Sequence, residues 1–278
     1  MRREKTHMED ERAVSEAVSY VLIFGLITTG TVLVALQGGP AITNTQDEQL
    51  AENVQRAAVL LQDRVDEMVR QQAPSREVSL DVQDIRVGVG SMEPTQVEIE
   101  ATDTSGSSIQ VIDTETDPVY IQKTAGNIDL TATYVNGAVL VGQRGRNETW
   151  TMASRPSWAI RTNSSTGEVG SIFMSTVATE GSSSVSGQGV GARILFERIS
   201  QEGETLSEID EVSISVDSPR SDAWEEYFRR LNGSINGSSL TAPSTPGGTV
   251  TLVMDEFEDG EGRMSHRSYL IGTEVSSR

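Results

Sequence analysis

Two histidines, His7 and His266, and no cysteine limit the chemistry open to this chain of 278 residues. Without thiols there are no disulfide frameworks, zinc fingers, iron–sulfur clusters or cysteine nucleophiles. Two histidines also cannot build a multi-histidine metal site. Beyond the first few residues a Ser–His–Asp device would have to use His266, which in Arg263-Met-Ser-His266-Arg267 reads as part of a polar turn. No Gly-Lys-Ser/Thr phosphate loop occurs, nor a Gly-x-Ser-x-Gly elbow. Gly187-Gln-Gly189-Val-Gly191 leads into a strand instead of joining a strand to a helix, so it is not a nucleotide loop. With 41 acidic residues, carboxylate pairs are unavoidable and point to no particular hydrolase. Asp255-Glu-Phe-Glu-Asp259-Gly260-Glu261 lacks the alternating oxygen spacing of a calcium loop and reads as an acidic hairpin turn. The expectation is a protein with no catalytic residue, metal or cofactor, and not an enzyme.

Charge narrows the partners. Forty-one acidic against 22 basic residues give a net charge of −19, whose field repels phosphates, so nucleic acid is excluded as a partner. The basic residues are two lysines, Lys5 and Lys123, and otherwise arginines. Four sites have the form of N-glycosylation acceptors, at Asn147, Asn163, Asn232 and Asn236, each followed two residues later by Ser or Thr. On an exported domain these are candidate glycan sites.

The elements that carry such residues start with a membrane-length segment. Ala17 to Leu36 runs AVSYVLIFGLITTGTVLVAL without a charge. As a helix it would be about 30 Å long, the thickness of a bilayer's hydrocarbon core. Gly25 and Gly30, with small neighbours, would let adjacent helices approach closely. Arg2, Arg3, Lys5 and Arg12 precede the run, and no basic residue follows it until Arg56. That asymmetry puts the N-terminus in the cytoplasm and the body outside, in a single pass.

Gly38-Gly39-Pro40 should break or kink that helix. Thr45 and Glu48 then form a capping box, and Leu50, Val54, Ala57, Leu61, Val65 and Met68 recur at helical spacing. The spacing predicts an amphipathic helix over 46–72, stopped by Pro74. Its stripe packs either on the chain's own β-domain or on neighbouring copies, and packing within the chain is the favoured reading.

From about residue 77 the pattern is strand and turn. Ile128 to Val135, then Asn136-Gly137, then Ala138 to Val141 is the clearest hairpin, since Asn-Gly supplies the positive φ angles of a type I′ turn. Further strands are expected near 78–89, 97–101, 109–113, 118–122, 148–153, 171–178, 190–199, 211–217, 249–257 and 268–275, with a flexible serine-rich loop over 180–189. One helix interrupts them, with Ser218-Pro219 as its N-cap and first turn. Ala223, Trp224, Tyr227, Phe228 and Leu231 form its apolar face, and Asn232-Gly233 its end. The fold class expected is α+β: a long N-terminal helix, transmembrane then amphipathic, followed by a mainly antiparallel β-sandwich-like ectodomain with one short helix.

The segment Arg12-Ala13-Val14-Ser15-Glu16-Ala17-Val18-Ser19-Tyr20-Val21-Leu22 resembles the N-terminus of haloarchaeal type IV pilin-like membrane proteins, which carry a class III type signal. The layout as a whole is similar to an uncharacterised pilin-like group among them. The resemblance implies cleavage between Ala13 and Val14 by a prepilin-type (preflagellin) peptidase, with Arg12 as the charged residue ahead of the cut. It further implies a cytoplasmic leader over 1–13, a transmembrane or assembly helix over 14–37 with Glu16, Gly25 and Gly30 on it, an amphipathic helix over 41–73, and an exported domain over 77–278. Glu16 would be the third mature residue, whereas bacterial pilins place a glutamate fifth. The body is large for a major pilin, which suggests a minor one. The function implied is a membrane-anchored, structural or adhesive cell-surface subunit whose partners are the membrane, the peptidase and other pilin-like subunits. The alternative is a non-assembling single-pass ectodomain that binds a ligand, glycan or partner protein.

Residues 1–36 carry four basic and five acidic groups, so nearly all of the net charge lies beyond the uncharged run. In molar salt the screening length is about 3 Å, and a strongly acidic surface then costs little in self-repulsion. The chain reads as salt-adapted. Its urea unfolding midpoint should fall steadily as KCl is lowered toward dilute buffer; unchanged cooperative unfolding without added salt would oppose this reading.

Overall fold

The structure, a computed structural model, describes Gln49 and residues 51–82, 85–123, 130–143, 149–187, 190–245, 247–257 and 262–278. Two compact units divide the chain, residues 1–50 and 51–278, and everything described beyond Gln49 belongs to the second.

Helix α1 covers residues 51–71. Val54, Ala58, Leu61, Val65 and Met68 recur at spacings of four and three, and all are buried. Gln62 sits beside this stripe, where its Nε2 donates to the Gly137 and Arg155 carbonyls at 2.8 Å each. The exposed side carries the pairs Arg56–Glu52 and Arg64–Glu67, which solvent screens and which add little to stability. Gln72 takes a left-handed φ of 53°, Ala73 N–H closes on the Met68 carbonyl, and Pro74 follows. The stripe therefore packs within the chain.

Two sheets make up the rest. The first has six strands in the order β11 (Ser184–Gly187), β2 (Ile85–Val89), β5 (Val119–Lys123), β6 (Leu130–Val135), β7 (Ala138–Gln143) and β8 (Thr149–Ser154), all antiparallel. The β6–β7 turn has Asn136 at φ 47° and Gly137 at φ 78°, the type I′ geometry expected from Asn-Gly. Asn136 also accepts a hydrogen bond from Val177 N–H through Oδ1, at 3.0 Å.

The second sheet has nine strands and is organised by β12 (Val190–Ser218), 29 residues long. One edge of β12 pairs with β15 (Gly262–Ser277) and then β14 (Gly248–Met254). The other edge pairs with β1 (Ser75–Val82) and, farther along, β3 (Thr95–Asp103). Outside these lie β13 (Ser238–Thr241) on β14, β4 (Ser108–Thr116) on β3, and β10 (Val169–Glu180) with β9 (Ala159–Thr162) on β15. The β10–β15 pair is parallel, from Ser171↔Arg263 to Glu180↔Gly272.

Helix α2 (Ser221–Asn232) closes one face of this sheet. Ala223, Trp224, Tyr227 and Phe228 are buried, and Trp158 joins the last three in an aromatic cluster with ring centroids 5.8–6.4 Å apart. Outward-facing Glu225–Arg229 and Glu226–Arg230 pairs form at i, i+4 as expected.

Several expectations need correcting. The described chain is mainly β, 62% strand with two helices, and not the α+β arrangement built on a long N-terminal helix. The local patterns of β2, β6 and β14 each fit a strand, but their sum outweighs the helices. No helix among the described residues is long and apolar enough to cross a membrane, and the uncharged run over 17–36 lies outside them. The expected loop over 180–189 contains strand β11, which gains backbone ladder bonds from β2 with a single apolar side chain, Val185, opposite Val87. The N-cap of α2 is Arg220, without a side-chain cap, because Ser218 Oγ is taken by Arg220 N–H and by Thr95 Oγ1.

Leu61 is fully buried and Leu60, its neighbour, is 37% exposed. Leu61→Ala should cost about 2–5 kcal/mol in unfolding free energy and Leu60→Ala under about 1 kcal/mol, read as urea midpoints of the full chain in detergent.

Candidate functional site

A cleft opens where β12 hands over to α2. Gly90 has φ 73°, and a Cβ there would stand 1.9 Å from the Gly181 carbonyl, so only glycine lets the β2–β3 connection pass. That passage brings Ser91, Met92 and Glu93 to the start of α2. Ser91 Oγ donates to Tyr120 Oη at 2.7 Å. Opposite, Pro219 and Arg220 leave β12, while Asp222 Oδ2 accepts from Trp150 N–H at 2.6 Å and ties β8 to the first turn of α2. A carboxylate there also suits the positive end of the helix.

Arg220 is the centre of this arrangement. It is 2% exposed, its Nη1 donates to the Glu93 carbonyl at 3.2 Å, and its guanidinium carbon lies 5.2 Å from the Trp150 ring centroid. A desolvated cation over an indole is favourable by about 2 kcal/mol. An inner cavity of about 300 Å³ is lined by Ser91, Met92, Glu93, Thr131, Trp150, Pro219 and Arg220. An outer cavity of about 610 Å³ shares Glu93 and Pro219 with it and adds Glu115, Asp217, Gly247 and Gly248. Arg220, Thr131 and Ser91 thus stand on the walls of the inner cavity, and Glu93, Glu115 and Asp217 on those of the outer one.

A second pocket, about 290 Å³, lies between β4 and the β10–β15–β12 surface, with Thr176, Ser200, Glu202 and Ser268 on its walls. Beside it, Thr176 Oγ1 and His266 Nε2 are 3.0 Å apart and both residues are buried. His266 therefore lies inside strand β15, not in a polar turn. Burial lowers its pKa to about 4, so the imidazole is neutral at pH 7. Among the described residues no group of three or more His, Cys, Asp or Glu is placed to hold a metal ion. The pair reads as a satisfied core histidine.

Of the residues singled out from sequence, Arg12, Ala13, Val14, Glu16, Gly25, Gly30 and Asn147 lie outside the described residues. Asn163 stands on the β9–β10 turn, where its Oδ1 accepts from Ser165 N–H at 2.9 Å and Ser165 Oγ at 2.6 Å. Asn232 ends α2 with its Oδ1 buried. Asn236 is exposed and its Nδ2 donates to the Thr166 carbonyl, which brings the 163 and 236 turns together. The sequence reading missed Arg220, Trp150, Thr131 and Ser91. One signal was there: an arginine directly after Ser218-Pro219 puts a cation at the positive end of a helix, which is unfavourable unless something else holds it.

The chain belongs to a family of unknown function (DUF7289), whose model matches residues 12–267. Comparison with curated proteins found no match.

Neutral, buried His266 couples folding to acid. Its folded pKa lies below the ordinary 6.5, so the unfolded chain takes up the proton first as pH falls. The stability difference is lost between about pH 6.5 and 4 and amounts to about 3 kcal/mol. His266→Gln should flatten the unfolding free energy over that window relative to wild type; an unchanged slope would count against a buried neutral imidazole.

Proposed function

We propose that the protein is a membrane-anchored, pilin-like cell-surface subunit, structural or adhesive and not enzymatic. The observation that carries this reading is the uncharged stretch from Ala17 to Leu36, led by Arg12-Ala13-Val14 and by a basic N-terminus. The family match runs from residue 12 to residue 267, so it includes the uncharged stretch together with most of the β-rich unit, which supports reading the two as parts of one protein type. A peptidase of the prepilin type would cut before Val14, and the uncharged stretch would hold the chain in the membrane with the β-rich unit outside. Gly25 and Gly30 would then allow close packing with other pilin-like subunits. The salt-adapted surface and the acceptors at Asn147, Asn163, Asn232 and Asn236 suit a saline exterior. A non-assembling ectodomain is the second reading, favoured by the cleft around Arg220.

Intact-mass measurement of the chain purified from its native membrane should give a mature N-terminus at Val14, and the protein should stay with vesicles through carbonate washing. A chain that keeps Met1 and washes off as a monodisperse soluble species would overturn the reading.

A further inference from the structure

We propose that an arginine patch on the outer side of β9, β10 and β15 docks a second copy of this chain through that copy's acidic β3–β4 surface. The inference goes beyond the surface-subunit reading and does not depend on the anchor.

Strand register assembles the patch. Arg161 on β9 stands opposite Ser171 on β10, and Ser171 stands opposite Arg263 on β15. Two residues along the β10–β15 ladder Phe173 faces Ser265, and two further Ser175 faces Arg267. Residues paired in this way share one side of the sheet, and the alternate residues Ile172, Met174 and Met264 enter the core on the other. Arg161, Phe173, Arg263 and Arg267 are all exposed, Phe173 by 43%. The Arg161 guanidinium carbon lies 5.2 Å from the Phe173 ring centroid, which holds the ring and the charge together. Among the described residues none of these three arginines is in a salt bridge, whereas Arg56, Arg193, Arg229 and Arg230 each have a carboxylate partner. On a chain of net charge −19, three such arginines around an exposed phenylalanine are the exception. Aromatic residues and arginine are also what the centres of protein interfaces are enriched in.

The same sheet carries the complement. On β3, Glu98 and Glu100 alternate with Val97, Ile99 and Ala101, which are buried in the same core as Ile172. Across the ladder Asp113 on β4 stands opposite Glu98, and Glu115 opposite Gln96. Neither β3 nor β4 contains a lysine or an arginine. Both signs therefore lie on one chain, and the matching contact is head to tail. Each docked copy keeps one free patch and one free acidic surface, so further copies add in a row. A face-to-face pair would instead set arginine against arginine. Net charge opposes the approach of two copies, but only over long range. At 0.15 M salt the screening length is about 8 Å, so that repulsion is reduced while pairs in contact, within about 4 Å, keep their attraction. Phe173 adds an apolar contact that salt does not screen. An acidic polysaccharide would meet the same arginines, but beyond the patch it would lie in the field of the acidic remainder.

The absence of cysteine gives a direct test, because introduced thiols are then the only ones. Full chains in detergent, in KCl sufficient to keep them folded, are followed by analytical ultracentrifugation and by oxidative cross-linking. Association should grow with concentration past the dimer, and a Ser265→Cys chain should cross-link to a Gln96→Cys chain in preference to its own kind. The double variant Arg263→Glu/Arg267→Glu should weaken association at least about tenfold, and so should Glu100→Arg/Glu115→Arg. An equimolar mixture of the two double variants should associate again, since each reversed surface then meets its opposite. Phe173→Ala changes no charge and should weaken association as well. All of these positions are exposed except half-buried Ser265, so folding is retained. A chain that stays monomeric, association unchanged by both reversals, or a dominant 265–265 cross-link would each overturn the proposal. So would arginine-dependent binding of alginate by a chain that does not self-associate.

Discussion

Backbone pairing along one strand carries most of the architecture. β12 is hydrogen-bonded to β1 and β3 along one edge and to β15 and β14 along the other, so four strands take their register from it. β14 and β15 run consecutively against β12, and between them Phe257 makes an isolated parallel bridge with Val169 of β10. A slip of one residue in β12 would turn Ile194, Phe196, Val212, Ile214 and Val216, all buried, toward the opposite face. Register is fixed most strongly at the strand's two ends, where apolar residues alternate inward. Between them β12 is polar and exposed from Glu197 to Glu208 except for half-buried Arg198 and Leu206.

The helices close what the sheets leave open, and each uses a polar anchor as well as an apolar face. α1 lies its stripe down and then fixes its position through Gln62, whose amide reaches two carbonyls at the β6–β7 turn and at Arg155. Asp66 follows one turn later, accepting from Ser157 Oγ at 3.0 Å, with its pKa raised by desolvation. α2 buries Trp224 and Phe228 and fixes its start through Asp222 on Trp150 N–H. These directional bonds choose one docking position among the several that apolar contact alone would accept. They also explain why a cleft persists beside α2: the first turn is held by β8 and the β2–β3 connection, not by collapse onto the space between them.

What could be read from sequence was whatever is decided locally. Asn136-Gly137 dictates its turn through φ, the α1 stripe dictates its buried face through a 3.6-residue period, and Glu225–Arg229 is set by helix geometry. Strand β11 and the polar middle of β12 were not legible, because β11 has only Val185 between two serines to show a period, the middle of β12 is mostly polar and exposed, and their ladder bonds come from residues far away. The parallel β10–β15 pair joins residues about ninety positions apart, so neither strand signals the other. His266 looked like turn sequence among Arg263, Ser265 and Arg267, yet alternation was present: Met264 and His266 point inward while Arg263 and Arg267 are exposed. The Arg220 site was hidden for a different reason. Its members come from β6, β8, the β2–β3 connection and the end of β12, and no spacing in the chain records that convergence.

The polar middle of β12 poses its own physical problem. Between its pairing with β1, which ends at Glu197, and with β3, which begins at Ile209, no described strand covers that edge. Its backbone N–H and C=O groups are therefore a template for pairing with another chain, and Ile199 is 53% exposed beside them. Glu202 and Glu204 look like the usual charged protection. In molar salt, however, a screening length of about 3 Å is shorter than the roughly 4.8 Å between paired strands. Repulsion between two such edges would then be largely screened. What remains is geometric: register shifts at Arg198/Ser200 and at Ser207/Ile209 bracket the exposed stretch. Such irregularities bend and over-twist a strand, so that a second straight edge cannot keep pairing beyond a few residues. At such salt the two bulges, more than the carboxylates, would keep the exposed edge of β12 from recruiting neighbours.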